Sequence, residues 1–181
     1  LTDISIPHAG HVLAVDDQGY VLCQYPVTRT VRTDSGTMPY TFHQYTLLGP
    51  DFTVLQDGID QYYNVGQYDY SYDSELFYND LAAVRVGASD WYLPDGGPWP
   101  RLYFNSKYMF IDRSGKTVSS SRYDEVSHEN DRWFGCHGTT EYLLDSNGNE
   151  REQANYCYVS STWAENIVEQ AEKDGLRLSY H

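Results

Sequence analysis

The stretch that decides the fold is Tyr108-Met109-Phe110-Ile111-Asp112-Arg113-Ser114-Gly115-Lys116-Thr117-Val118. A run of apolar and aromatic residues leads into Asp-x-x-Gly, and a β-branched pair follows shortly after the glycine. Aspartate at the first turn position accepts hydrogen bonds from the backbone two residues on, and glycine adopts the positive φ that reverses the chain. The stretch therefore predicts a β-hairpin.

The same phrase recurs along the chain. It appears as Val-Leu-Ala-Val-Asp-Asp-Gln-Gly at 12–19, as Glu-Tyr-Leu-Leu-Asp-Ser-Asn-Gly at 141–148, and in degenerate form as Tyr-Thr-Leu-Leu-Gly-Pro-Asp-Phe at 45–52. A second phrase, Tyr-Asp followed by Asn-Asp, occurs at 72–80 and again at 123–131. Its two copies are 51 residues apart, whereas the first two and the last two copies of the first phrase are each 33 residues apart. One hairpin cannot bury its apolar face, so neighbouring hairpins must stack. We predict irregular hairpin repeats over roughly residues 10–160, arranged as a solenoid or propeller-like array.

Short apolar segments separated by Gly, Pro, Asn and Asp predict strands rather than helices through most of the chain. The predicted strands are His11–Val15, Tyr20–Tyr25, Tyr45–Leu48, Phe52–Gln56, Leu81–Val86, Arg101–Phe104, Tyr108–Asp112, Arg132–Cys136, Glu141–Asp145 and Tyr156–Ser160. Their spacing leaves no room for crossover helices, so we expect antiparallel pairing. The Pro- and Gly-rich stretch Leu93–Pro100 is predicted to be an insertion.

The hydrophobic period changes near the C-terminus. Residues 162–174 begin with a capping-box pattern and precede a glycine, which predicts one α-helix. Trp163, Ile167 and Ala171 recur every four residues and would form a single apolar stripe. Such a stripe suits a helix that caps the open end of a repeat array, so residues 1–181 are predicted to form a single domain.

The combination of these hairpins with a Tyr-Asp phrase, and with the strand Asn79-Asp80-Leu81-Ala82-Ala83-Val84-Arg85-Val86, resembles the bacterial WG-repeat family. The best copy is the 108–118 stretch, and the resemblance spans most of residues 10–150. It implies a β-repeat protein that is surface-exposed or secreted by a bacterium. It also implies binding rather than catalysis.

Composition narrows the possible partners. The formal net charge is −14, with a pI near 4.5. Such a field repels nucleic-acid phosphate and anionic lipid, so we predict no nucleic-acid partner. No apolar run approaches the ~20 residues that span a bilayer, so we predict no membrane insertion. An aromatic fraction of 15% separates the chain from acidic disordered segments.

The residues with reactive or metal-binding side chains form no recognisable site. The most plausible disulfide joins Cys136 to Cys157, and free buried thiols are an equal alternative. Adjacent strand residues point to opposite faces, so His137 is badly placed to activate Cys136 as a nucleophile. Phosphate-binding loops and serine elbows are absent from the sequence. Asp145–Glu150 meets the pattern of a calcium loop only in part, and a hairpin turn explains it better. We predict no catalytic residue, no metal site and no cofactor.

The aromatic surface remains as the candidate site. The predicted ligand-binding residues are Tyr68, Tyr70, Tyr72, Tyr78, Trp91, Tyr92 and Trp99. Tyrosine and tryptophan are typical of surfaces that recognise proteins or sugars. We therefore predict a non-enzymatic binding module for a protein or for a glycan, and among proteins the negative charge of the chain favours a basic one. The alternatives are a secreted hydrolase with a carboxylate pair at residues 69–75, a structural spacer, and simple packing of the tyrosines between hairpins.

Overall fold

The computed structural model describes residues 10–63, 65, 75–95 and 102–156. These residues form twelve β-strands: β1 (His11–Val15), β2 (Val21–Thr33), β3 (Gly36–Leu48), β4 (Val54–Tyr62), β5 (Leu81–Val86), β6 (Trp91–Tyr92), β7 (Tyr103–Phe104), β8 (Tyr108–Asp112), β9 (Glu125–Glu129), β10 (Arg132–His137), β11 (Thr140–Leu144) and β12 (Glu150–Tyr156). No helix occurs among them, and the predicted helix at 162–174 lies outside the described residues. This part of the chain is therefore mainly β.

The strands form two sheets. The larger has the order β7-β6-β2-β3-β4-β5-β8, with β1 also paired to β2, and the smaller has the order β12-β11-β10-β9. Neighbouring strands are antiparallel, as expected, apart from one parallel contact between Arg32 of β2 and Tyr92 of β6. Neither sheet closes on itself within the described strands. The segment between β5 and β8, described at 87–95 and 102–107, is called the strap below.

Strand bounds agree with the predictions where apolar residues define the strand. β1, β5 and β8 have the predicted bounds. Strands β2 and β3 are much longer than predicted, because they pair in register from Val21–Leu48 out to Thr33–Gly36. Their outer halves are rich in exposed threonine and contain Pro26 and Pro39, which sequence rules count against a strand.

Strands β4, β9 and β12 also differ from the predictions. Strand β4 begins at Val54, two residues later than predicted, because Phe52 belongs to a turn. The predicted strand Tyr156–Ser160 lies outside the described residues, apart from Tyr156 at the end of β12. Strands β9 and β12 are polar and were not predicted from the sequence. Ladder hydrogen bonds to β10 and β11 hold these strands, and such pairing leaves no apolar pattern in the sequence.

The Asp-x-x-Gly phrases form turns of one type. The turns are turn 1 (Asp16–Tyr20), turn 2 (Gly49–Thr53), turn 3 (Asp112–Lys116) and turn 4 (Asp145–Asn149). In each, the first N–H donates to the fifth carbonyl, and the fourth N–H donates to the first carbonyl, at 2.8–3.1 Å between nitrogen and oxygen. In turns 1, 3 and 4 the aspartate Oδ1 also accepts from the third and fifth N–H groups. The degenerate copy thus adopts the predicted turn.

The second phrase also has a common geometry. Asn79 and Asp80 have φ values of 52° and 63°, and Asn130 and Asp131 have 50° and 58°. Two successive positive φ angles define the type I′ turn that favours tight hairpins. The two turns contact each other, because Asn79 Nδ2 donates to the Asp131 carbonyl at 2.7 Å.

The apolar core has two main parts. One lies on a face of the larger sheet and is centred on Leu22, Leu47 and Ile59. The other joins the two sheets through Phe110 and Trp133. The hairpins therefore bury their apolar faces against one another, as the stacking argument requires.

Candidate functional site

Several predicted site residues cannot be placed. Those outside the described residues are Tyr68, Tyr70, Tyr72 and Trp99, together with carboxylates Asp69 and Asp73 of the alternative hydrolase site. Glu75, at the end of that stretch, is exposed. The structure therefore locates three of the seven predicted ligand-binding residues: Tyr78, Trp91 and Tyr92.

Tyr78 is half-buried in a cluster of rings. Its ring centroid lies 4.7 Å from that of His128 and 5.8 Å from that of Trp133, the latter edge to face. Tyr63 adds a second edge contact at 5.9 Å, and Trp133 Nε1 donates to the Tyr78 carbonyl at 3.0 Å. Tyr78 therefore packs between the two sheets, and its ring is not an open platform for a ligand.

Trp91 and Tyr92 belong to a different cluster, on the strap. The Trp91 ring lies 6.1 Å from Phe42 between centroids, and the Arg29 guanidinium carbon stands 5.9 Å from its centroid. The Tyr92 hydroxyl donates to Asp34 Oδ1. Both residues fasten the strap to the outer half of the β2–β3 hairpin. They share no cluster with Tyr78, so the predicted aromatic surface is divided.

A buried carboxylate fixes the base of the strap. Asp60 is 1% exposed, and its oxygens accept from Gln44 Nε2 at 2.7 Å, from the Ala88 N–H at 2.8 Å and from Ser106 Oγ at 3.4 Å. Burial raises the pKa of Asp60, while these hydrogen bonds act in the opposite direction. Because it is inaccessible and its oxygens are occupied, Asp60 acts as a structural group and not as a general base.

The other reactive side chains that the structure describes give no catalytic arrangement. Cys136 is disulfide-bonded, so its sulfur is no nucleophile, and Cys157 lies outside the described residues. Cys23 is free and buried, and burial raises its thiol pKa. His137 Nε2 lies 2.8 Å from Glu150 Oε1, a surface pair. Within the described ranges, no group of three or more His, Cys, Asp or Glu could hold a metal ion.

An open cleft of about 870 Å³ lies beside the two type I′ turns. Its lining includes the exposed Arg132 and Arg151 together with Trp133 and Leu143. The Trp133 and Leu143 side chains are almost fully buried, at 3% and 8% exposure. They offer a ligand little apolar side-chain surface, which makes the cleft a weak candidate site.

A stronger candidate was not predicted from the sequence. The large hydrophobic side chains that the described residues expose are Val12, Val15, Met38, Phe52 and Val54. Met38 stands alone near the tip of the β2–β3 hairpin. The other four, which we call the turn patch, lie at the end of the larger sheet that carries turns 1 and 2. They are 55%, 53%, 46% and 49% exposed in chain order.

The strand register relates the members of the turn patch. Val15 pairs with Val21, Val21 with Leu48, and Leu48 with Val54, so these four side chains share one sheet face. Val21 and Leu48 are buried in the middle of this row, and Val15 and Val54 stand at its ends, about 14 Å apart at the usual strand spacing. Val15 and Val54 are thus close enough for one partner surface to cover both.

The rim of the turn patch is acidic. Asp17 in turn 1 and Asp51 in turn 2 are both exposed. The Thr53 hydroxyl and N–H donate to Asp51 Oδ1 at 2.7 and 3.1 Å, and these bonds, the hydroxyl first, lower the Asp51 pKa. Turns 1 and 2 adjoin each other, since a Cβ on Gly19 would lie 3.5 Å from Pro50. Both carboxylates therefore border the same surface.

Comparison with known proteins adds no relative. No family model matches the chain, and neither the curated proteins nor the solved structures give a significant match. In the part of the chain that is described, no helix is long and apolar enough to cross a membrane.

Proposed function

We propose that this chain is a non-enzymatic protein-recognition module, built from WG-repeat-like hairpins, that contacts its partner through the turn patch. The observation that carries the proposal is the grouping of Val12, Val15, Phe52 and Val54 at one end of the larger sheet. Exposed apolar side chains that gather in one place mark interaction sites, whereas isolated ones need no explanation.

A protein suits this surface better than a glycan. Sugar rings are recognised on open aromatic faces, and the rings of Tyr78 and Trp91 are engaged in packing. The turn patch is mostly aliphatic and has an acidic rim, which fits an apolar protein surface. The predicted binding of a glycan therefore has no support from the residues that the structure describes.

Two observations support the repeat origin and the extracellular setting. The four turns share their closing hydrogen bonds, as repeated hairpins would. The disulfide at Cys136 fits an oxidising compartment, because such bonds form and persist in secreted and surface proteins. A secreted or cell-surface bacterial protein is consistent with both.

A capture experiment with patch variants tests the proposal. The immobilised chain is exposed to proteins from bacterial culture supernatants and surface extracts, and captured proteins are quantified by mass spectrometry. We expect at least one protein that the wild type retains and that the triple variant Val12→Thr, Val15→Thr, Val54→Thr loses by about tenfold or more. Threonine keeps the β-branched shape, so the strands should be preserved.

Met38→Thr serves as the control, because it removes another exposed hydrophobic residue, 43% exposed, elsewhere on the same sheet. It should leave capture unchanged. If every captured protein binds the triple variant as well as it binds the wild type, the turn patch is not the contact surface.

A further inference from the structure

Phe52 is a conformational outlier within the turn patch. Its φ is 63°, in the left-handed region. The equivalent positions of the other turns are Gly19, Gly115 and Gly148, with φ of 85°, 79° and 71°. A left-handed φ brings Cβ close to the following carbonyl oxygen, so a bulky residue is unfavourable there and glycine is favoured.

The turn itself does not require the phenyl ring. The Gly49 N–H donates to the Thr53 carbonyl at 2.9 Å, and the Phe52 N–H donates to the Gly49 carbonyl at 2.8 Å. These are the closing bonds of the glycine turns, and Asp51 adds its own bonds to Thr53. The backbone strain is therefore retained for a side chain that remains 46% exposed and that the turn could lack.

Strain kept where the local structure is otherwise satisfied points towards function. An exposed aromatic ring two residues from the exposed Val54 has the properties of an interface hot spot. We propose that Phe52 is the anchor of the turn patch and packs against an apolar surface of a protein partner whose rim carries lysine or arginine. This inference rests on the proposed function and specifies the partner's surface.

The basic rim follows from the charge around the anchor. Of the five aspartates in residues 11–20 and 49–62, which carry the turn patch, Asp17, Asp51 and Asp57 are exposed, and these ranges contain neither lysine nor arginine. Turn 3, whose Gly115 lies against Leu55, adds one exposed cation, Lys116, so the exposed carboxylates outnumber it three to one. Asp17 and Asp51 are exposed beside the patch, and hydrogen bonds to Thr53 favour the charged form of Asp51. An acidic rim on the partner would be repelled by these carboxylates, and a neutral rim would leave their charge uncompensated. A basic rim would be attracted.

Two designed peptides serve as probes. Both form an amphipathic helix with leucine on one face, and the other face carries lysine in one peptide and glutamate in the other. Binding of the fluorescein-labelled peptides is measured by fluorescence anisotropy across a salt series. We expect the lysine peptide to bind the wild type more tightly than the glutamate peptide, and Phe52→Gly to weaken that binding by about tenfold or more.

Stability measurements separate an anchor from a structural residue. Phe52→Gly relieves the left-handed strain, so its thermal midpoint should equal or exceed that of the wild type while binding falls. Phe52→Leu, which keeps an apolar side chain, should retain part of the affinity. The double variant Asp17→Asn, Asp51→Asn should flatten the salt dependence, because both carboxylate charges are lost while the amide oxygen at position 51 still accepts from Thr53.

The failures of the two proposals are distinguishable. If Phe52→Gly binds like wild type while the triple valine variant loses both capture and peptide binding, Phe52 is not the anchor and the patch remains the surface. A lowered thermal midpoint in Phe52→Gly would make the ring structural. Equal binding of both peptides would overturn the basic rim. If neither patch variant alters capture or peptide binding, the proposed function fails as well.

Discussion

Turn 2 and turn 3 have the same closing hydrogen bonds, and they differ in the residue at the left-handed position. Turn 3 has Gly115, and a Cβ built there would lie 2.5 Å from the Leu55 carbonyl oxygen. Turn 2 has Phe52, whose side chain is half-exposed. The backbone requires a positive φ in both turns, but only in turn 3 does packing also exclude a side chain.

The comparison separates two reasons why a turn position can require glycine. The sequence motif alone does not distinguish them. The first is conformational and costs about 1–2 kcal/mol when violated. The second is steric and depends on what lies next to the turn. In turn 2 only the conformational reason applies, so the Phe52 side chain is accessible to solvent and to a partner.

Gly115→Ala should give the largest effect on stability. The new methyl group meets both the φ of 79° and the backbone of Leu55, so we expect a loss of about 2–5 kcal/mol in the free energy of unfolding. Gly58→Ala is the matched control, since φ is 63° and no heavy atom lies within 4 Å. It should lose about 1–2 kcal/mol. Equal losses of the two variants in urea titrations would mean that the contact with Leu55 is not the reason for glycine at position 115.

Asp112→Ala should have a smaller effect, which depends on pH. Asp112 Oδ1 accepts from the Ser114 hydroxyl at 2.6 Å, from the Ser114 N–H at 2.8 Å and from the Lys116 N–H at 3.1 Å. The first of these is the main cause of its lowered pKa. We expect a loss of about 1 kcal/mol at neutral pH. Because the folded-state pKa is lowered, this contribution is present above the unfolded pKa and is lost as the pH falls below about 4.

The measurement is the difference in unfolding free energy between wild type and Asp112→Ala at pH 7 and pH 3. Asp51→Ala is the comparison in turn 2, where both donors belong to Thr53. Its loss should be smaller, because the turn 2 carboxylate accepts fewer hydrogen bonds. A difference for Asp112→Ala that stays constant with pH would show that its charge state is unimportant to the turn.

The fold was predictable where local rules act alone. Asp-x-x-Gly gave the turns, and apolar runs gave β1, β5 and β8 with their bounds. The outer halves of β2 and β3 were missed because they are held by pairing with each other and by the strap. Packing of Val31 and Phe42 against Leu93 and Leu102 depends on residues distant in sequence, which no local pattern reveals.

The candidate site was predictable to a lesser extent. The abundance of tyrosine and tryptophan indicated a surface between residues 68 and 99, yet a ring that binds a ligand and a ring that packs between sheets have the same sequence. Tyr78, Trp91 and Tyr92 proved to pack. A signal for the turn patch was nevertheless present, since Phe52 occupies the glycine position of the degenerate Asp-x-x-Gly copy.

A third aspartate extends the comparison of turns to the interior. Asp60 and Asp112 both accept several hydrogen bonds, yet the pKa of Asp60 is raised and that of Asp112 is lowered. Desolvation is the leading cause for Asp60, which is buried in the sheet, whereas Asp112 is in a turn at the surface. The same residue type thus contributes to stability with opposite pH dependence.

Asp60→Asn tests this difference with little change in shape. An asparagine oxygen can accept from the Ala88 N–H and the Ser106 hydroxyl, and its amide can donate to Gln44 once that side chain flips. A raised folded-state pKa favours the protonated form, so the wild-type contribution is full below the unfolded pKa and is lost as the pH rises through the folded-state pKa. Relative to wild type, Asp60→Asn should therefore gain stability between pH 4 and pH 7.5, by about 1 kcal/mol or less. Urea titrations at these two pH values measure the gain, and a relative stability that falls with rising pH would show that the ionised carboxylate is favoured in the sheet.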